Sequence, residues 1–172
     1  TEDYQTLAAV DTDRAVIDDT NGGTDWLNLV ALQDNVRADL NSGLFKVDGT
    51  AWGSLGPNDF ENVAAGDGND TILGSNADNV LLGMRGNDRL YMDAGNDTLN
   101  GGSGTDRLYV TGSTNSVVNL AKTKAQNTGY GTDIIKNIEN ASGGSGVDKF
   151  YGTTGNNTLK GNNGNDILKG KN

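Results

Sequence analysis

The chain has 172 residues, with 23 aspartates and glutamates against 13 lysines and arginines, a formal charge of −10, 26 glycines, one proline, and neither cysteine nor histidine. This composition excludes a disulfide framework, thiolate zinc sites, the HExxH zinc motif and every histidine-based nucleophile pair, and it offers no basic footprint for nucleic acid. No apolar run approaches the ~18 residues of a membrane span, and the opening TEDYQTLAAV lacks a basic-then-apolar leader pattern, so neither membrane insertion nor a Sec-type signal is expected of this stretch.

Taken in order, residues 1–19 hold short alternations such as Arg14-Ala15-Val16-Ile17-Asp18 that read as one or two strands. Thr20 to Asn28 (TNGGTDWLN) reads as a degenerate opening repeat, with Asp25 at its sixth place. In RADLNSGLFKVDG, Asn41-Ser42-Gly43 predicts the turn of a hairpin whose apolar strand positions include Leu40, Phe45 and Val47. Trp52 and Pro57 are expected in a glycine-rich loop, and FENVAAGDGND leads into the next segment.

From Ala65 to Tyr109 the chain divides into five nine-residue units: AGDGNDTIL, GSNADNVLL, GMRGNDRLY, MDAGNDTLN and GGSGTDRLY. Residues 110–142 interrupt the frame with SVVNLAKTKAQN, a strand-turn-strand candidate, and with GYGTDII, a partial unit carrying Asp133. The frame returns from Gly143 to Lys169 as GGSGVDKFY, GTTGNNTLK and GNNGNDILK. The lead-ins also match, since Phe60-Glu61-Asn62 precedes Asp70 by the same spacing as Ile138-Glu139-Asn140 precedes Asp148. A tandem duplication is expected, with boundaries 1–109 and 110–172, each half an irregular hairpin or sandwich-like cap followed by an array, in one elongated module.

A fixed nine-residue period dictates the fold before any local preference does. Each unit has six turn residues and three strand residues, and only the middle strand residue points inward. That eighth place is Ile72, Leu81, Leu90, Leu99, Leu108, Phe150, Leu159 and Leu168, the expected core. Two reversals close one coil, so alternate units stack about 4.8 Å apart. Asp70, Asp88 and Asp106 then share one column, with Asn79 and Asp97 opposite; Asp148 and Asp166 stack further on, with Asn157 across from them. Bare carboxylates about 5 Å apart repel by roughly 3 kcal/mol at an effective dielectric near 20. An oxygen-only cage suits calcium better than magnesium, which demands a stricter octahedron.

This frame resembles the nonapeptide repeat of RTX (repeats-in-toxin) proteins, a calcium-binding parallel β-helix signature. The resemblance implies an all-β, parallel β-roll: a right-handed β-helix with two nonapeptides per coil. It also implies several calcium ions, bound by the sixth-place side chains together with backbone carbonyls of turn glycines, here Gly66, Gly68, Gly86, Gly102, Gly104, Gly144 and Gly146. Asp25 and Asp133 are the outlying members of that ligand set. Few buried side chains against many ordered glycines imply that the arrays fold only when metal arrives. The caps are similar to the β-rich segment beside the repeats of serralysin-type proteases. Proteins of this family leave Gram-negative bacteria by type I secretion and fold in extracellular calcium, so a secreted module serving a larger parent polypeptide is expected. The chain ends GNDILKGKN, part-way into a unit, which fits an excised module.

A second reading is an adhesion or polysaccharide-binding module. Leu73, Tyr91 and Tyr109 occupy the ninth place of alternate units and form a stripe, with Arg89 and Arg107 beside it. The expectation is that the hairpin segments or a neighbouring domain cover this stripe. Thr71 beside the two arginines breaks any uniform threonine ladder, which disfavours ice binding, and no convergent catalytic set is visible, so an enzyme is not expected.

Overall fold

The computed structural model describes residues 3–6, 16–17, 23–56 and 59–171, and every regular element among them is a strand. The first six are β1 (Asp3–Thr6), β2 (Val16–Ile17), β3 (Asp25–Asn28), β4 (Val36–Asp39), β5 (Leu44–Val47) and β6 (Thr50–Leu55). Next come β7 (Asn62–Ala64), β8 (Thr71–Leu73), β9 (Val80–Leu82), β10 (Arg89–Met92), β11 (Thr98–Asn100) and β12 (Arg107–Val110). The chain continues through β13 (Val117–Asn119), β14 (Gln126–Asn127), β15 (Thr132–Lys136), β16 (Asn140–Ser142), β17 (Lys149–Tyr151), β18 (Leu159–Lys160) and β19 (Ile167–Lys169).

Consecutive strands from β7 to β12 alternate between two sheets, ordered β1-β3-β7-β9-β11-β15-β14 and β18-β16-β12-β10-β8-β4-β5-β6-β2; a third runs β13-β17-β19. Within each sheet the repeat strands are parallel. Leu90 lies between Ile72 and Leu108, and Leu99 pairs Leu81, so partners sit two nonapeptides apart. This all-β, parallel stacking is consistent with a β-roll.

The inward position explains the core. Ile72, Leu81, Leu90, Leu99, Leu108 and Phe150 are buried, and the same registers bring Leu27, Ala38, Val63, Val118, Ile135 and Ala141 into the same rows. Two expected core residues depart from this. Leu159 is only partly buried and Leu168 is 43% exposed, because β18 and β19 are the outermost strands of their sheets among the described residues.

The predicted hairpin is present as β4 and β5, antiparallel, with Gly43 at φ 69° in the turn and Leu40, Phe45 and Val47 buried. A glycine takes that left-handed conformation without a Cβ clash. The expected loop at Trp52 is instead part of β6, antiparallel to β5; Pro57 and Arg14, Ala15 and Asp18 lie outside the described residues. SVVNLAKTKAQN yields two strands but no hairpin ladder. β13 runs parallel to β17, and β14 pairs antiparallel with β15. The Gln126 side chain joins the two segments, accepting from the Asn119 N–H at 2.9 Å and donating to its carbonyl at 3.2 Å. The lead-ins at 60–62 and 138–140 are themselves coil members, since β7 and β16 occupy full rungs.

Candidate metal centre

Each turn delivers its sixth residue to the gap between coils, and hydrogen bonds fix where one carboxylate oxygen goes. Asp88 Oδ1 accepts from the Asp70 N–H at 2.8 Å, and Asp106 Oδ1 accepts from the Asp88 N–H at 2.8 Å. Below them, Asp70 Oδ1 accepts from the Val36 N–H at 2.8 Å. The predicted column Asp70–Asp88–Asp106 is therefore assembled, and it continues into Glu139, whose Oε2 accepts from the Asp106 N–H at 2.8 Å.

The opposite column follows the same rule. Asp97 Oδ1 accepts from the Asn79 N–H at 2.9 Å, and Asp133 Oδ1 from the Asp97 N–H at 2.8 Å. Asp133 thus joins the stack, with its Oδ2 bonded to the Thr128 hydroxyl. Asp25 belongs to this column through Glu61, whose Oε2 accepts from the Asp25 N–H at 2.8 Å. In the third sheet Asp148 Oδ1 meets Ser116, and Asp166 Oδ1 accepts from the Asp148 N–H at 2.9 Å. Asn157 lies one rung beyond Glu139, donating to its carbonyl at 2.7 Å. Sequence reasoning missed Glu61 and Glu139 as sixth-place residues. The signal was available in the 18-residue step from Glu61 to Asn79 and from Glu139 to Asn157.

The second carboxylate oxygens carry the chemistry. Asp88, Asp97 and Asp106 are at most 1% exposed, and their Oδ2 atoms have no hydrogen-bond partner among the described residues. Asp93, at the second place of its unit, has a buried Oδ1 in the same condition. A buried polar atom left so costs free energy unless a ligand meets it. Burial, opposed by backbone hydrogen bonds and reinforced by neighbouring carboxylates, raises the pKa of Asp106 to about 6 and those of Asp88 and Asp97 to about 7. Asp93 rises to about 8 by burial and the nearby Asp97 charge. Burial also raises Asp70 and Asp133.

The turn glycines bring carbonyls close. A methyl group on Gly86 would lie 1.8 Å from the Gly68 oxygen, on Gly104 1.7 Å from the Gly86 oxygen, and on Gly164 2.0 Å from the Gly146 oxygen. Gly102 and Gly104 adopt φ 99° and 140°. The Gly66 carbonyl accepts from the Arg85 N–H at 3.2 Å and the Gly144 carbonyl from the Asn163 N–H at 3.3 Å. Among the described residues no three acidic side chains close on one point. Any ion here must take carbonyl oxygens as well as carboxylates. That donor set fits calcium, which accepts 6–8 oxygens in irregular geometry.

The Leu73–Tyr91–Tyr109 stripe is in register, and the two tyrosine rings stack with centroids 4.7 Å apart at 10°. Among the described residues, β4, β5 and β6 extend the edge of the sheet that carries the stripe. The stripe is partly buried, Arg89 is exposed, and Arg107 bonds the Ser142 hydroxyl at 3.0 Å. Tyr91→Ala is therefore expected to cost about 0.5–1.5 kcal/mol, the worth of an aromatic pair, and less than the ~3–5 kcal/mol of a fully buried ring. A calcium-loaded melt checks this, and a loss at the upper figure would indicate a covered face.

Stacked turns that end in bare carboxylate oxygens, without nitrogen or sulfur donors, mark a repeat module for a hard divalent cation. The family model for the RTX calcium-binding nonapeptide repeat matches in four copies, at residues 58–90, 73–108, 93–115 and 142–172, together more than half of the chain. The chain belongs to this family, and its repeats bind several calcium ions. A search of curated proteins finds no match.

Proposed function

We propose that this chain is a calcium-folded β-roll module that supports the secretion and stability of a larger type I secreted polypeptide outside a Gram-negative cell. The observation that carries the reading is the set of buried, unpartnered Oδ2 atoms on Asp88, Asp97 and Asp106. Calcium supplies charge neutralisation at these oxygens, and the chain's residues hold them in place beforehand. Asp70, Asp88, Asp106, Asp97, Asp133, Asp148 and Asp166 are the side-chain ligands in this reading, with Asp25 at the far end of a column. Carbonyls of Gly66, Gly68, Gly86, Gly102, Gly104, Gly144 and Gly146 complete the shells. Ladders β11–β15 and β12–β16 cross the 109/110 boundary, which supports one continuous, right-handed module in which 1–109 and 110–172 are duplicated halves with capping hairpins. The module itself is not an enzyme in this reading; any activity belongs to the parent polypeptide.

Asp88→Ala tests it. Asp88 has carboxylates on both sides and an unpartnered Oδ2, whereas Asp70 has Val36 on one side and its Oδ2 accepts from the Gly66 N–H at 3.3 Å. Asp88→Ala is expected to raise the calcium midpoint roughly tenfold, about 1.4 kcal/mol, and Asp70→Ala by less. Equal shifts in calorimetric titrations would contradict the assignment.

One observation favours a second role, binding of an acidic polysaccharide. Arg89 and Arg107 are adjacent on the face that carries the stacked tyrosines, and the one ion pair found among the described residues is Arg85–Asp67, elsewhere. Loss of salt-sensitive glycan binding in Arg89→Ala would support that role.

A further inference from the structure

The sixth-place residues divide into two chemical kinds, and the asparagines behave unlike the aspartates. Asn79 is 1% exposed and fully engaged. Its Oδ1 accepts from the Ser75 N–H at 2.7 Å, and its Nδ2 donates to the Glu61 carbonyl at 2.8 Å and to Ser75 Oγ at 3.3 Å. The neighbours dictate the amide's orientation, because a backbone N–H must face the oxygen and a carbonyl must face the NH2.

The same network recurs 78 residues later. Asn157 Oδ1 accepts from the Thr153 N–H at 2.8 Å, and its Nδ2 donates to the Glu139 carbonyl at 2.7 Å and to Thr153 Oγ1 at 3.0 Å. In both places a second asparagine frees the glutamate carbonyl for this purpose. On regular rungs the seventh-place N–H bonds the sixth-place carbonyl of the coil before, as Arg89 does with Asp70 and Thr98 with Asn79. Here the Val80 N–H bonds Asn62 Oδ1 at 2.9 Å, and the Thr158 N–H bonds Asn140 Oδ1 at 2.8 Å. Asn62 and Asn140 in turn donate to the carbonyls of Asp25 and Asp106 at 3.3 and 3.2 Å.

From this we infer that Asn79 and Asn157 are substitutes for calcium rather than its ligands. Each amide NH2 supplies the positive end that the glutamate carbonyl would otherwise seek from an ion, so these two turns close without metal. The adjacent rung gives the contrast. Asp97, next to Asn79 in the column, has Asp93 at the second place instead of a serine, and both carboxylates carry an unpartnered oxygen. Asp88, Asp97 and Asp106, each with an unpartnered Oδ2, fall between the two asparagine turns. The Glu-Asn pair, followed by Ser or Thr and then Asn four residues on, is the sequence mark of the metal-free rung.

This inference rests on the calcium reading above, and ion counting separates the two. Native mass spectrometry of the whole chain in saturating calcium should give the same number of ions for wild type and Asn79→Ala, with a lower calcium-loaded melting temperature for the variant. Asn79→Asp should bind one ion more, because its new oxygen faces the Glu61 carbonyl. One ion lost in Asn79→Ala, or no ion gained in Asn79→Asp, would overturn the inference. If Asn79→Ala does not fold, Asn157→Ala and Asn157→Asp carry the same readout. A wild-type chain that binds no calcium would instead sink the calcium reading itself.

Discussion

In excess chelator at neutral pH the chain is expected to lose its β spectrum and its protease resistance, and millimolar calcium should restore both. Asp88, Asp97 and Asp106 are buried with one oxygen each unpartnered, and each also stands one rung from another sixth-place side chain. On the proposed reading, neutralising them is a condition for closing the coils. Because the site does not exist in the unfolded chain, binding free energy appears as folding free energy. Magnesium should substitute poorly, since it keeps its waters and its octahedral geometry. A chain that stays folded and protease-resistant in excess EDTA would show that hydrogen bonding and the apolar rows suffice without metal.

Acid should do in part what calcium does. The carboxyl groups of Asp106, Asp88, Asp97 and Asp93 have pKa values raised to about 6, 7, 7 and 8, chiefly by burial. Their ordinary value is about 3.9. Between these limits the folded chain binds more protons than the unfolded one, so metal-free stability rises as pH falls through about 8 to about 4. A circular dichroism titration in chelator should therefore gain β signal on acidification from pH 8 to pH 5. Calcium affinity should weaken over the same window, because protons compete for the same oxygens. Metal-free β signal that falls monotonically toward pH 5 would refute this.

Much of this architecture is legible in the sequence because the period constrains shape directly. An aliphatic residue at the eighth place and an aspartate at the sixth recur in the same frame, and Ile72, Leu90 and Leu108 stack as that frame demands. The hairpin at Gly43 was legible for the same local reason, a residue that tolerates positive φ between apolar alternations. The rungs at Asn62–Ala64 and Asn140–Ser142 were not, since neither carries the glycine pattern and their small residues have weak strand preference. Asparagine and aspartate look interchangeable at the sixth place. Only the contacts of Ser75, four residues before Asn79 in its own unit, and of Glu61, 18 residues before it, reveal that the amide is already satisfied. Exposure at Leu168 was equally hidden, because it depends on what stacks next and not on the residue itself.

The two stacked tyrosines have an optical consequence. Tyr91 and Tyr109 belong to different coils, yet their rings lie 4.7 Å apart and nearly parallel. Their electronic transitions must couple, giving a near-ultraviolet dichroism that neither ring produces alone. A slip of one residue would turn every side chain to the opposite face and replace the ring pair with a mismatch. The chain therefore reports its own register: the coupled signal should appear only when the third and fifth units are aligned, and vanish in either single tyrosine-to-leucine variant without any added label.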